Sequence, residues 1–478
     1  MTKTYKGLRD FLETLEAEGQ LIRIKDEVDP EEIGAAGRAS SNMEGSPAIL
    51  FEKVRGYKGP VATMVHGSWK NHALMLGMDK NASIKEQFEE LNKRWDKFPV
   101  PPTVLSRDEA TCKEVVIDEE INLFEILSLY RINPQDGGCY LSKASVVSGD
   151  PAEPDNFDKQ NVGTYRIQVK GKDRLGIQAL AMHDIAVQLR LAEAKNEPLP
   201  IAIALGNNPL VTFMASTPVG YTQNEYEFVG ALQDGVPCEI VKADIADHLY
   251  VPAHAEVILE GYIIPRVRTC EGPFGEFPGS YSGARNQCEM KITHVTHRKD
   301  PIFENLYLGM PWTEIDYLMA LNTSVPLYKQ MKESYPEIVA VNAMYQHGIT
   351  SIVSVKPRFG GFGKSVAMRM MTTPHGTAYA KNIIIVDEFV DPFDLTQVMW
   401  ALSTRVKPGK DVAIIPNCPG MPLDPSTNPP GMTEKFIIDA TSPVAPEVEP
   451  RATKLLTPAA GVEKWEKIIR SMRAGDQD

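Results

Sequence analysis

Two glutamates five residues apart, in a loop whose neighbours are nearly all Gly, Pro or Phe, form the most chemically loaded feature of the sequence. The run Glu271-Gly272-Pro273-Phe274-Gly275-Glu276-Phe277-Pro278-Gly279 holds three Gly, two Pro, two Phe and two Glu. Gly and Pro fix an irregular backbone, while the Phe rings lower the local polarity, which raises a carboxyl pKa and suits a general acid. A second run, Asn161-Val162-Gly163-Thr164-Tyr165-Arg166, presents an amide and a guanidinium five residues apart on a β-like segment. On an ideal strand that odd spacing sends them to opposite faces, so both serve one site only if the backbone twists or bends near Gly163. An ordinary surface strand would carry the same letters.

Three weaker constellations accompany these. His183 follows the apolar stretch Gln178–Met182 and precedes a helical pattern, where a lone histidine is more often a satisfied core or capping residue than a ligand. Asn224-Glu225-Tyr226-Glu227 follows Ala215-Ser216-Thr217-Pro218, whose small residues let backbone groups approach a phosphate or cation; a solvated helix start is the alternative. Lys381 stands before an apolar run, with Asp387, Glu388, Asp391 and Asp394 beyond it. Acidic residues after a parallel strand can bind Mg²⁺, which would suit phosphotransfer, but helix caps and dipole-complementing carboxylates account for them better. No GxxxxGK[ST] loop accompanies them, and Phe359-Gly360-Gly361-Phe362-Gly363-Lys364 lacks the order of a nucleotide fingerprint.

The elements that must position these residues fall into three textures. Leu8, Phe11, Leu12 and Leu15 make one apolar helical stripe that Gly19 can end. Apolar segments at Ala48–Val54 and Val61–Val65 and a helical pattern at Ile84–Phe98 complete a small α/β layer, closed by Pro99-Val100-Pro101-Pro102. Short β-rich runs then follow, among them Thr164–Val169, Ile201–Leu205, Ala255–Ile264 and Cys288–Val295, as in a barrel or sandwich. From about Pro311, helical and apolar segments alternate: Ile338–Tyr345, Ser351–Val355, a helix near Lys364–Met371, then Asn382–Val386. The last is apolar without alternation, as expected of a parallel strand covered on both faces. Asp391-Pro392 offers an N-cap and first-turn residue for a helix with the stripe Leu395, Val398, Met399 and Leu402. Pro416–Pro430 and the tail after Ala445 read as extended.

Composition narrows the function class. With 478 residues and 43% hydrophobic content, two or three domains and a large cofactor are within reach. A net charge of −13, with both signs interspersed, argues against nucleic acid as a partner. The six cysteines lie far apart with no CxxC pair, and read as reduced, buried thiols. No stretch approaches the roughly 18 apolar residues of a membrane helix, and the N-terminus lacks a secretory apolar core, so a cytoplasmic protein is expected.

Taken together and in order, these elements resemble the UbiD family over nearly the whole chain. Gly67-Ser68-Trp69-Lys70-Asn71-His72-Ala73-Leu74-Met75-Leu76-Gly77, Asn305-Leu306-Tyr307-Leu308-Gly309-Met310-Pro311-Trp312-Thr313-Glu314 and Val398-Met399-Trp400-Ala401-Leu402-Ser403-Thr404-Arg405 carry the likeness towards the branch of hydroxybenzoate and vanillate decarboxylases. The resemblance implies prenylated FMN as cofactor, held through Mn²⁺ (or Mg²⁺) and K⁺. It places the divalent metal on Asn161, His183 and Glu225, a mainly hard donor set. K⁺ falls to the region of Ala215 and Ser216, and Lys381 matches a lysine that contacts the cofactor. Gly163, Thr164, Tyr165, Arg166 and Met182 complete the implied cofactor contacts; Met182 stands where many relatives have glutamine. The family's catalytic network maps onto Arg166, Glu271 and Glu276.

On this reading the fold is α/β: an N-terminal α/β domain over 1–105, a split β-barrel flavin-binding domain over 106–312, and a mixed α/β oligomerisation domain over 313–478. The expected reaction is reversible, non-oxidative decarboxylation of a hydroxylated aromatic acid. The resemblance implies a homo-oligomer, a hexamer, with a flavin prenyltransferase as cofactor supplier and a small D subunit as partners. The rivals are a flavin-binding assembly protein without turnover and a Mg²⁺-dependent phosphotransferase.

Overall fold

The computed structural model describes residues 3–310, 312–344, 349–447 and 455–475. The first helix, Leu8–Ala17, buries Leu8, Phe11, Leu12 and Leu15, and Gly19 leaves it with φ +68°. It lies beside a four-stranded sheet ordered Leu21–Val28, Ala48–Val54, Val61–Thr63 and Phe303–Glu304. The last strand comes from far along the chain and pairs parallel with Val61–Thr63.

The central sheet shows why it must curl. Its order is Tyr140–Leu141, Ile167–Val169, Arg174–Ile177, Arg285–His297, Val257–Glu271, Leu199–Leu205, Ser145–Ser148 and Asn161–Thr164, with Val115–Ile117 pairing off Arg285–His297. Asn161–Thr164 forms one edge, and Ile167–Val169, only Tyr165 and Arg166 later, lies next to the other. Two residues span far less than an open sheet of this width, so the edges are drawn together into a half-barrel. Register shifts within Val257–Glu271, at Glu260/Gly261 and between Ile263 and Arg268, supply the local bends. The expected continuous run Thr164–Val169 is therefore broken, and the break falls at Tyr165-Arg166 rather than near Gly163.

In the C-terminal part, five strands run in the order Ile338–Met344, Thr350–Val355, Asn382–Asp387, Met432–Ala440 and Val412–Pro419. Asn382–Asp387 has parallel neighbours on both sides. Ile383 and Ile385 join the main core, which includes Phe362, Val366 and Met370 of helix Phe362–Met371. Val386 packs instead with Val398 and Ala401 of helix Leu395–Arg405. Burial on both faces explains the absence of alternation.

Three local expectations are corrected. The cap of helix Leu395–Arg405 is Asp394, which accepts from Thr396 N at 2.9 Å, whereas Asp391 accepts from Phe393 N at 2.9 Å in the preceding turn. Met399 is 56% exposed, so the stripe narrows to Val398 and Ala401 at its buried centre. The tail after Ala445 is not wholly extended, because Val462–Gly475 is helical. Tyr345, expected to continue its strand, lies outside the described residues. Among the described residues no helix is long and apolar enough to cross a membrane.

Candidate active site

A cavity of about 440 Å³ opens between the half-barrel and the C-terminal sheet. One wall is the strand end and break Asn161–Arg166, with the end of helix Pro209–Ala215 and the start of helix Glu225–Leu232 beside it. Opposite lie Pro374–Tyr379, which is a short helix, and Met421 and Leu423 from the loop after strand Val412–Pro419. Leu306, Leu308, Ile315 and Met319 make one flank apolar.

The break in the strand aims Arg166 at the glutamate loop. Its Nε donates to Glu271 Oε1 at 2.7 Å and its Nη2 to Glu271 Oε2 at 2.5 Å, a two-point pairing. Nη1 donates to Glu276 Oε1 and, at 2.6 Å, to Ser282 Oγ. The guanidinium also lies 5.3 Å from the centre of the Phe274 ring. Glu271 is fully buried behind Arg166 and does not reach the cavity wall, whereas Glu276 lines it at 5% exposure. Burial raises the Glu276 carboxyl above the usual carboxylate range; Arg166 pulls the other way and Glu271 adds to the rise.

Asn161, His183 and Glu225 all line the cavity, brought there by three separate elements. Asn161 opens its strand and donates Nδ2 to Tyr165 Oη at 3.2 Å. Gly163 makes room for that ring, since an added Cβ would lie 2.4 Å from Tyr165 Oη. His183 precedes helix Asp184–Lys195 and is held neutral by burial, its pKa pushed down to about 4. Glu225 begins its helix almost wholly buried, so it is no solvated helix start. Its Oε2 accepts from Val162 N at 3.0 Å, and no cation among the described residues forms an ion pair with it. Burial raises its carboxyl well above the usual value.

Thr164, Met182, Ala215 and Ser216 also lie in the wall, with Met182 47% exposed. The Ser216 carbonyl already accepts from Asn322 Nδ2 at 2.7 Å. Lys381 does not join them: its Nζ lies 2.6 Å from Asp424 and also donates to Ser426, outside the lining. Of the acidic residues beyond it, Glu388 is exposed, while Asp387, Asp391 and Asp394 are occupied as structural acceptors. Asp387 pairs with Arg405 at 3.0 Å and accepts from Ser442, while Asp394 caps a helix.

Other groups with metal-ligand geometry lie elsewhere and are filled by lysine. His66, Glu304 and Glu314 cluster around Lys143 Nζ, at 2.9, 2.5 and 2.5 Å. Asp244 and Glu260, grouped with His294, receive Lys113 at 3.2 and 2.9 Å. Sequence reasoning missed His375, which lines the cavity while its ring contacts Gln330 and Pro218 O. The Thr373-Pro374 helix start was a readable signal, but nothing local says which cavity that helix faces.

The comparisons bear on this arrangement directly. Three family models, the N-terminal, Rift-related and C-terminal domains of 3-octaprenyl-4-hydroxybenzoate carboxy-lyase (UbiD), match residues 12–91, 103–311 and 316–440. The chain belongs to the UbiD family. A phenolic acid decarboxylase of Sedimentibacter hydroxybenzoicus is 72% identical over 474 residues, 99% of each chain. The solved structure of that organism's vanillic acid decarboxylase, ShVdcCD, in closed form is similar with a TM-score of 0.91 and 72% identity, covering 98% of this chain and 99% of that one. The UbiD-class enzyme HmfF of Pelotomaculum thermopropionicum, in an evolved dimeric form in complex with prFMN, has a TM-score of 0.82 and 30% identity, over 96% and 98% of the chains.

Proposed function

We propose that this UbiD-family enzyme decarboxylates a hydroxylated aromatic acid of the 4-hydroxybenzoate, vanillate or protocatechuate type to the phenol and CO₂, with prenylated FMN as cofactor. The observation that carries the reading is Arg166 joined to two unlike glutamates, one sealed behind it and one in the wall of a cofactor-sized cavity.

The walls suit such a cofactor. Glu225 is a buried acid with no cationic partner among the described residues, and the buried Gln178 Nε2 in the same wall has no hydrogen-bond partner. A divalent cation and an acceptor-rich ligand would satisfy both. Asn161, His183 and Glu225 would hold Mn²⁺ or Mg²⁺ against the cofactor phosphate, and Ala215 and Ser216 would offer oxygens to K⁺. When bound, prenylated FMN supplies an electron sink that no side chain provides.

The chain's own residues do the rest. Arg166 orients the substrate carboxylate, and Glu271 fixes the plane of the guanidinium. The apolar flank of Leu306, Leu308, Ile315 and Met319 excludes water and favours the passage from a charged carboxylate to neutral CO₂. The ring–carboxylate bond breaks with its electron pair retained, and the Glu276 proton forms the new C–H bond. Burial, which raises the Glu276 carboxyl, favours its protonated form.

Resemblance extends the proposal to a homo-oligomer, a hexamer, loaded by a flavin prenyltransferase. The ShVdcCD relative supports a small D subunit as partner. Six unpaired cysteines, of which Cys270 is exposed and Cys139 and Cys418 half-buried where all six were expected to be buried, suit a reducing cytoplasm. The test is a CO₂-release screen of hydroxybenzoates on protein co-produced with a flavin prenyltransferase. Release of CO₂ with the matching phenol is expected from at least one acid. Full flavin occupancy with no CO₂ from any of them would favour an assembly protein without turnover.

A further inference from the structure

The loop that carries Glu276 is held from behind by a stretch that the proposed chemistry leaves unused. Asp136, 4% exposed, accepts backbone N–H groups at both carboxylate oxygens: Oδ2 from Asn133 and Oδ1 from Gly275, each at 2.8 Å. Gly275 immediately precedes Glu276. Alongside, Gly137 N donates to Pro273 O at 2.7 Å and Tyr140 Oη donates to the same oxygen at 3.2 Å. Gly272 N donates to Gln168 Oε1 at 3.2 Å.

At Gly137 this contact is backbone laid on backbone, since an added Cβ would lie 2.3 Å from Gly272 O. At Gly275 the neighbour is the Asn133 side chain, whose Nδ2 would lie 2.5 Å from an added Cβ. A buried carboxylate is costly unless its oxygens are satisfied, and only a carboxylate accepts at both ends. An amide in its place would set its own N–H against one of the two donors.

We infer that Asp136 is a positioning residue for the proton donor: through Gly275 it fixes the Glu276 carboxyl against Arg166 and at the cavity wall. The inference rests on reading Glu276 as the acid. Asp136 does not line the cavity and makes no hydrogen bond to Arg166, so apart from the charge it presents to Arg166 it acts by placing its neighbour. A misplacement of roughly 1 Å at a reacting group lowers turnover by about 100-fold, while substrate binding through Arg166 is left in place.

The experiment compares Asp136→Ala, Asp136→Asn and Glu276→Gln as flavin-loaded enzymes, with kcat, KM and the flavin spectrum read for each. In Asp136→Ala, kcat is expected to fall by about 30- to 100-fold while KM stays within about threefold and flavin content is unchanged. Asp136→Asn keeps the shape and one acceptor, so its kcat should recover to within about tenfold of the parent. An Asp136→Ala enzyme within about twofold of the parent, beside an inactive Glu276→Gln, overturns the inference alone. So does a loss of flavin and thermal stability in both Asp136 variants with no separate effect on kcat, which would make Asp136 a folding residue. Full activity in Glu276→Gln overturns the acid assignment instead.

Discussion

Arg166 gives Glu271 two parallel hydrogen bonds, Nε to Oε1 at 2.7 Å and Nη2 to Oε2 at 2.5 Å, and leaves only Nη1 for Glu276. Two acids of one loop are thereby made unlike. Glu271 has no access to the cavity and is committed to the guanidinium, while Glu276 is reached from the cavity and holds its proton more tightly than an exposed glutamate.

Glu271→Gln should therefore impair binding as well as rate. The amide offers the guanidinium one acceptor and one opposing donor, and charge-assisted hydrogen bonds of this kind are worth about 1.5–3 kcal/mol. A rise in KM and a fall in kcat/KM of about 10- to 100-fold are expected in steady-state assays. An unchanged KM would argue that Arg166 does not hold the substrate.

Glu225→Ala should lose metal and flavin together. The cavity then lacks its buried carboxylate, leaving Asn161 and His183 without the charge that a divalent cation needs. Metal analysis and the flavin absorbance of the purified variant check this, and normal content of both would remove Glu225 from the metal set.

Lys143→Met should destabilise the protein without touching the cavity. Lys143 is 1% exposed and lies 2.5 Å from both Glu304 and Glu314. Removing it strands two buried carboxylates, which costs about 3–5 kcal/mol. Urea unfolding measures the loss; a change below about 1 kcal/mol would mean that the carboxylates take up protons at little cost.

Acid should weaken the fold through two buried histidines. Burial pushes His66 and His72 down from 6.5 to about 4, so the native state keeps both rings neutral. The unfolded chain protonates them below about 6.5, and stability is lost as pH falls from there towards about 4. Melting temperature should drop over that window, less steeply in His72→Gln, in which Gln replaces the ring that contacts Gln87. Equal slopes in parent and variant would contradict the assignment.

What was legible in the sequence was local. The stripe Leu8, Phe11, Leu12 and Leu15 and the unalternating Asn382–Val386 gave a helix and a doubly covered strand because their periodicity is written in adjacent letters. Glu271 and Glu276 stood out because Gly, Pro and Phe around acids are unusual. The break at Tyr165-Arg166 was not legible, since it follows from which strands lie at the two edges of the curled sheet. Asp136 was hidden for the same reason: its partner Gly275 is distant in sequence. The partner of Lys381 was hidden too, because Asp424, also distant in sequence, takes its ammonium group.

The central claim is that Glu276 delivers the proton that replaces CO₂, and Glu276→Gln tests it most directly. Glutamine keeps the shape and can still hydrogen-bond to Ser282 or Arg166, but has no acidic proton to give. General acid catalysis is typically worth about 10²–10⁴-fold. The measurement is CO₂ release by the variant after its spectrum shows full flavin occupancy. The account predicts a fall of at least about 100-fold with the flavin retained. Turnover within a few-fold of the parent would contradict it and leave the proton to another group in the cavity.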